Sequence, residues 1–475
     1  MPSLRLPALP NELPLLAYVA SMPSLALGFY SLSNHDATRI VQLAVLLVTA
    51  LAAMAVSIAN PSGAQWRPSS AHCLVGLLAL ASIAMSPVPA MAWRETALML
   101  GLAGTTWVVA GRLSVTSLAP ARQAALLGSC LYAFVLAMLM LAPLVHRSPM
   151  DWSSLAVGYD NYRFFNHVQT VALPLLAIVA LQPAAERHGR WMRAAAWFSM
   201  VVYWIFVFCS GARGTALGIA VAMVAACLVS GWRATAALQR TLVASALVGA
   251  AAYALVFVLL PATSLLPVGA SAERSMPSLA SDSSRLLLWH IAWDDILASP
   301  WLGIGPMHYA HFPNPKAAHP HNVYLQVAAE WGLPLLATLL ALAGRALWRL
   351  GRAVRDAATG ARDEGAGLLV ACLAFLADGF VSGNFVMPVS QMWIVLCIAW
   401  AMAWHRMQGA ADSARPPVSV AWPRAAAAVL LASQVWLVAQ VWPEARDVKA
   451  HFEQVPRETA PNSRPSPRFW SDGWF

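Results

Sequence analysis

Runs of roughly 17–25 apolar residues recur along almost the whole chain, and a run of that length is what an α-helix needs to cross a bilayer. They fall near 14–32, 38–59, 72–88, 92–111, 121–144, 167–182, 193–209, 214–231, 238–260, 322–345, 364–382, 388–406 and 421–442, interrupted in the third and fourth by Pro87 and Pro89. High Ala and Leu content makes them helices, and a helix satisfies its own backbone in lipid. The charge content agrees: 11% of the 475 residues are charged and 59% are hydrophobic, against about 25% charge in soluble domains. A soluble chain of this length would need more polar surface than that. The sequence therefore predicts an all-α polytopic integral membrane protein with about 12–13 transmembrane helices, and excludes a cytosolic globular enzyme, a disordered chain and a disulfide scaffold. Residues 1–442 read as one membrane-helical domain that includes a long loop over 261–321. Residues 443–475 read as a polar, Pro-rich C-terminal tail, expected to be poorly ordered.

The net charge of +9 belongs to the loops. Arg187 and Arg190, then Arg233 and Arg240, then Arg349, Arg352, Arg355 and Arg362, then Arg406, Arg415 and Arg424 occupy four loops that alternate with the others. By the positive-inside rule these face the cytoplasm, as does the N-terminus. No basic block suggests a nucleic-acid partner; membrane lipid is the expected environment. Cys73, Cys130, Cys209, Cys227, Cys372 and Cys397 all lie in apolar stretches without CxxC spacing, so they read as packing residues. The first residues lack a signal-peptide layout, and the first apolar stretch reads as a retained helix.

Two loops on the opposite, outer face stand apart. The loop near 145–166 contains DNYRFFNH, and the long loop over 261–321 carries His290, His308, His311, His319 and His321. The strongest local signal follows directly: HPHNVYLQ, running on to Glu330, Gly332 and Pro334. Pro320 suits a first helical turn, which would set His321 at the start of a membrane helix at the water boundary. Asn322, Gln326 and Glu330, at i, i+4 and i+8, would form one polar stripe. A helix N-terminus also offers N–H groups to an anion. An interfacial histidine with a snorkelling polar face fits the same spacing.

Three arginines sit in the outer loops. Arg285 opens SRLLLW, ahead of SPWLGIGP; Arg213 stands among small residues in SGARGT; Arg163 stands among aromatics in DNYRFFNH. An arginine fork holds phosphate at two points. Each alone also fits a bland reading: a surface ion pair of Arg285 with Asp282 or Asp294, a charged turn at Arg213, an aromatic belt at Arg163. Together they suggest an anionic ligand beside a titratable group. The histidine spacings HxxH and HxH give no metal signature, and no Walker or G-x-G-x-x-G loop supports a nucleotide. No metal or other cofactor is expected.

The run SGARG, then SRLLLW…SPWLGIGP, then HPHNVYLQVAAEWGLP, over roughly residues 160–400, resembles the O-antigen ligase superfamily. That superfamily holds lipopolysaccharide O-antigen ligases, O-antigen polymerases and protein O-oligosaccharyltransferases. The resemblance implies a GT-C-type membrane glycosyltransferase with a long periplasmic loop before a histidine-bearing helix. It implies a bacterial inner-membrane location, with the active site facing the periplasm and a glycan on undecaprenyl diphosphate as donor. Carried over by position, Arg213, Arg285 and His321 match the family's functional residues. Arg163 matches loosely, and His319, Asn322, Gln326 and Glu330 accompany them as substrate-binding candidates. The reaction implied is inverting and metal-independent: arginines stabilise the departing diphosphate and His321 takes the proton of an acceptor hydroxyl. The lipid A–core of lipopolysaccharide is the expected acceptor, with a pilin Ser or Thr or a growing glycan as alternatives. A transporter for a lipid-linked anion is the reading from another class; it would place charges near the midplane.

Overall fold

The computed structural model describes residues 34–59, 70–115, 117–148, 155–183, 189–260, 282–311, 317–409, 421–448, 450 and 466–475. Among them are fourteen α-helices and no strand. In chain order these are α1 (Asn34–Ala59), α2 (Ser70–Met85), α3 (Pro89–Val115), α4 (Ala119–His146), α5 (Tyr162–Ala180), α6 (Gly189–Ser210) and α7 (Arg213–Ser230). There follow α8 (Trp232–Ala254, continued by a π turn over Leu255–Leu259), α9 (Asp282–Ala298), α10 (Val323–Trp331), α11 (Leu333–Asp356), α12 (Thr359–Asp378), α13 (Pro388–Gly409) and α14 (Ala421–Arg446).

Nine of the described helices are long and apolar enough to cross a membrane: α1, α3 to α8, α11 and α14. The apolar stretch at 14–32 lies outside the described residues. The other expected spans differ from these nine for physical reasons. Helix α2, at 16 residues, is shorter than the bilayer core requires. Helices α12 and α13, 20 and 22 residues long, also run from one end of the bundle to the other, and are less apolar because they lie inside it and carry polar groups that protein neighbours satisfy. Trp400 Nε1, for example, donates to Glu364 at 2.9 Å. The expected span at 322–345 breaks in two at Gly332.

That break is built by glycine. Gly332 has φ +88°, and a Cβ there would lie 2.3 Å from the Trp301 carbonyl oxygen. Gly303 has φ +70° and approaches the Glu330 backbone equally closely. The 300–305 turn thus tucks beneath the α10–α11 junction. Ile304 N donates to Ala329 O at 2.8 Å and Leu333 N to Pro300 O at 2.9 Å. Only residues without a Cβ allow two backbones so close at positive φ.

Burial grades outward. Helix α5 is central, with 89% of its span buried, packed against α6, α12 and α13. Helix α7 is peripheral: Leu217, Val221, Val224 and Leu228 are all exposed, at the i, i+4, i+7, i+11 spacing of one helix face. Such a face suits lipid, where apolar exposure costs nothing.

The arginine-rich loops share one end of the bundle. There Ser230 Oγ donates to Gly351 O at 3.0 Å, and Arg355 donates to Val229 O. At the opposite end α1, α3, α5, α7, α11 and α13 begin and α6, α12 and α14 finish. The outer-loop motifs meet there.

Candidate active site

His321 precedes its helix. Helix α10 begins at Val323, and its cap is Asn322, whose Oδ1 accepts from Tyr324 N at 3.0 Å and Leu325 N at 3.1 Å. This corrects the expectation that Pro320 fills the first turn. Asn is a strong N-cap because its side-chain oxygen satisfies orphan N–H groups, so the helix starts after it. His321 is left in a tight turn at φ +53°, a left-handed conformation uncommon outside glycine.

The turn is held from several sides. His321 N donates to His319 Nδ1 at 3.3 Å, and the two rings lie 4.1 Å apart. Trp289 Nε1 of α9 donates to Pro320 O at 3.2 Å, and Arg285 lies one turn back on α9, on the same face. Val323 N donates to Gly379 O at 2.9 Å and Tyr324 OH to Leu376 O at 2.8 Å. A Cβ on Gly383 would touch the His319 ring at 2.6 Å. The turn after α12 thus walls the loop on its far side.

Helix α5 and the 210–215 turn come to the same place. Ser210 Oγ donates to Asn166 Oδ1 at 3.1 Å, and Thr215 Oγ1 donates to Asn166 O at 2.9 Å. The small-residue turn around Arg213 is thereby clipped to the DNYRFFNH motif, with Arg213 exposed at the start of α7. His167 Nδ1 lies 3.6 Å from Asp378 Oδ2, which also accepts from Ser382 Oγ at 2.8 Å. A Cβ on Gly214 would sit 3.0 Å from Asp378 Oδ1, so the residue after Arg213 abuts the same carboxylate. Arg163, exposed, stacks over Tyr162 at 5.9 Å.

Electrostatics tie the group together. Burial, then the positive charge of Arg285, then His167 and Arg163 push the His321 pKa down to about 3. The ring is a neutral imidazole at neutral pH, able to accept a proton. Burial and His321, followed by Arg468, hold His319 well below its usual value. His319, 1% exposed, is then a neutral acceptor for the His321 N–H.

The polar stripe along α10 has other duties. Asn322 Oδ1 caps the helix. Glu330, fully buried, accepts from Tyr309 N at 3.1 Å and Arg468 Nη2 at 2.6 Å, with Gln326 Nε2 at 3.5 Å. His308 is equally occupied: its Nδ1 meets Pro306 O at 2.8 Å and its Nε2 accepts from Val88 N at 2.9 Å. Sequence reasoning singled out neither His167 nor Arg468. His167 is four residues after Arg163, so a helical reading of DNYRFFNH places them on one face. Arg468 has no local signal.

A family model described as O-antigen ligase matches residues 198–340. The match takes in Arg213, Arg285 and the His319–His321 loop, and stops short of Arg163, His167, Asp378 and Arg468. No curated protein matches the chain.

Proposed function

We propose that the chain, whose residues 198–340 match the O-antigen ligase family model and which carries helices long and apolar enough to cross a membrane, is a multi-pass membrane glycosyltransferase of that superfamily that transfers a preassembled glycan from undecaprenyl diphosphate to the lipid A–core of lipopolysaccharide. The reaction takes place at the outer, periplasmic face of the bacterial inner membrane. The observation that carries this reading is the tight turn that holds His321 against His319 at φ +53° and is hydrogen-bonded through Pro320 to α9, the helix that bears Arg285.

Arg285, Arg163 and Arg213 bind the donor diphosphate through charge-assisted hydrogen bonds. The acceptor hydroxyl attacks the anomeric carbon on the face opposite the diphosphate. His321 takes the hydroxyl proton, the anomeric C–O bond breaks, and its electron pair goes to the diphosphate oxygen. The sugar inverts. Preorganised positive charge stabilises the leaving group as it forms. Nothing in the sequence calls for a metal in this scheme, since the arginines supply the positive charge.

The same arginines make the base conditional. In the free protein they disfavour the imidazolium. Burial lowers the His321 pKa most; a bound diphosphate offsets the arginines' share, so His321 is a stronger base with donor present than without it. His319 orients His321, and Asp378 orients His167 beside it. Asn322, Gln326 and Glu330 serve the donor site indirectly, by shaping α10.

A lipid-anchored acceptor is supported by the arrangement of the described residues, most of which belong to long apolar helices of one membrane-helical body. Transport is disfavoured by the same geometry, because the charges gather at one end of the helices rather than at mid-membrane. A deletion strain tests the acceptor. Loss of the lipopolysaccharide ladder with lipid-linked glycan accumulating supports the ligase. A pilin mass drop with the ladder intact replaces it with a protein O-oligosaccharyltransferase, and core plus a single repeat replaces it with a polymerase.

A further inference from the structure

Residues 466–475 contain four large buried residues: Arg468 at 2%, Phe469 at 1%, Trp470 at 2% and Trp474 at 4% exposure. They adopt no helix or strand, so something other than regular structure fixes them. Hydrogen bonds to Asp36, Arg39 and Glu444 tie them to the bundle. Ser471 N and Oγ donate to the Asp36 carboxylate on α1 at 2.6 and 2.7 Å. Arg39 Nε donates to Phe469 O at 2.9 Å. Trp470 Nε1 donates to Glu444 Oε2 on α14 at 2.8 Å.

A second set reaches the histidine loop. Ala318 N donates to Ser466 Oγ at 3.0 Å. The Phe475 ring lies 5.4 Å from His308 and 5.2 Å from His311. Trp474 packs with Ala310 and Ala318. These contacts grip the stretch that leads into His319 and His321. Arg468 grips the helix that follows, donating to Glu330 Oε2 at 2.6 Å and to Glu95 Oε1 on α3 at 3.3 Å. The reacting loop is therefore held on both sides by one segment, which is itself anchored to α1, α3 and α14.

We propose that residues 466–475 form a strap that positions the His319–His321 loop, with Arg468 as the positioning residue that acts through Glu330. The inference rests on the assignment of the transfer reaction to His321. Charge explains the route. Glu330 is wholly buried, and a buried carboxylate without a partner is strongly unfavourable. Removal of Arg468 leaves Glu330 with Tyr309 N and the more distant Gln326, withdraws the contact that pins the end of α10 to the segment, and frees α10 to shift. Helix α10 moves as a short rigid rod, so its N-terminal end carries His321 with it. A displacement near 1 Å at a reacting group costs about 10²-fold in rate.

The chain has two lysines, Lys316 and Lys449, so in a Lys449→Arg background a lysine-specific protease can cut only beside the histidine loop. Full-length protein in lipid nanodiscs would be assayed with an undecaprenyl-diphosphate-linked glycan and purified lipid A–core. Arg468→Ala is expected to lower kcat about 10²-fold with donor KM within about twofold, because the donor-binding arginines remain in place. Arg468→Lys is expected to regain part of the loss, since it keeps the charge without the fork. Cleavage at Lys316 is expected to accelerate in Arg468→Ala and on removal of residues 466–475. If Arg468→Ala fails to insert, Phe475→Ala, which spares the ion pair, should show faster Lys316 cleavage and a several-fold lower kcat. Unchanged kcat, a loss confined to KM, or unchanged Lys316 cleavage without the segment would overturn the strap. Full transfer by His321→Ala would instead remove the assignment of the reaction, leaving Lys316 cleavage to judge the strap alone.

Discussion

The two ends of the bundle use arginine in opposite ways. At one end Arg349, Arg352 and Arg355 stand exposed along the last turns of α11, where each is one of several charges that bias orientation. At the other end Arg39 and Arg468 are 1% and 2% exposed and make four or more specific contacts between them. Exposed arginine is replaceable because water and headgroups stand in for any partner. Buried arginine is not, because its removal strands the groups it satisfied. Arg285, half-buried, belongs with the outer set by its electrostatic hold on His321.

Substitutions can break that comparison. The largest effect is expected from Arg285→Ala. Loss of one preorganised donor to a developing anion costs about 10²–10³-fold in kcat, and membrane insertion should be unaffected; in vitro transfer measures it. Activity within threefold of wild type would place Arg285 with the replaceable arginines.

A pH profile sharpens the account of His321. In the free protein burial, then Arg285, His167 and Arg163, push its pKa down to about 3, and a bound diphosphate opposes the arginines' part of that shift and raises it. The base works when neutral, so the rate falls as pH drops through the relevant pKa. The acid limb of kcat/KM reports the free protein and that of kcat the donor complex. The limb of kcat should therefore lie at the higher pH, and coincident limbs would contradict the electrostatic coupling. The smallest effect belongs to the other end: Arg352→Ala should leave transfer within about twofold and membrane orientation unchanged, because its neighbours in the same loop keep the bias.

The sequence yielded the helices because lipid imposes length and hydropathy on each span separately. It yielded the outer cluster for a related reason: a lone arginine or histidine among apolar residues is conspicuous. It did not reveal the break at Gly332, since the residues on both sides are apolar and the reason for a second backbone conformation lies in the 300–305 turn. It placed the start of α10 too early, because Pro320 and Asn322 both carry helix-start signals and only the folded loop shows which one caps. It suggested poor order for residues 443–475, of which 466–475 are packed into the bundle. A polar, Pro-rich composition suggests poor order, yet Asp36, Arg39, Glu95 and Glu330, each more than a hundred residues away, convert those same polar groups into anchors. His167 was passed over because its partner Asp378 lies on another helix.

The central claim is that His321 is the group that accepts the acceptor's proton. Purified wild-type and His321→Ala proteins, matched for insertion and for donor binding, would be compared for glycan transfer from the lipid diphosphate. The account predicts that donor binding survives while kcat falls by about 10²–10⁴-fold. Transfer by His321→Ala at the wild-type rate would contradict it.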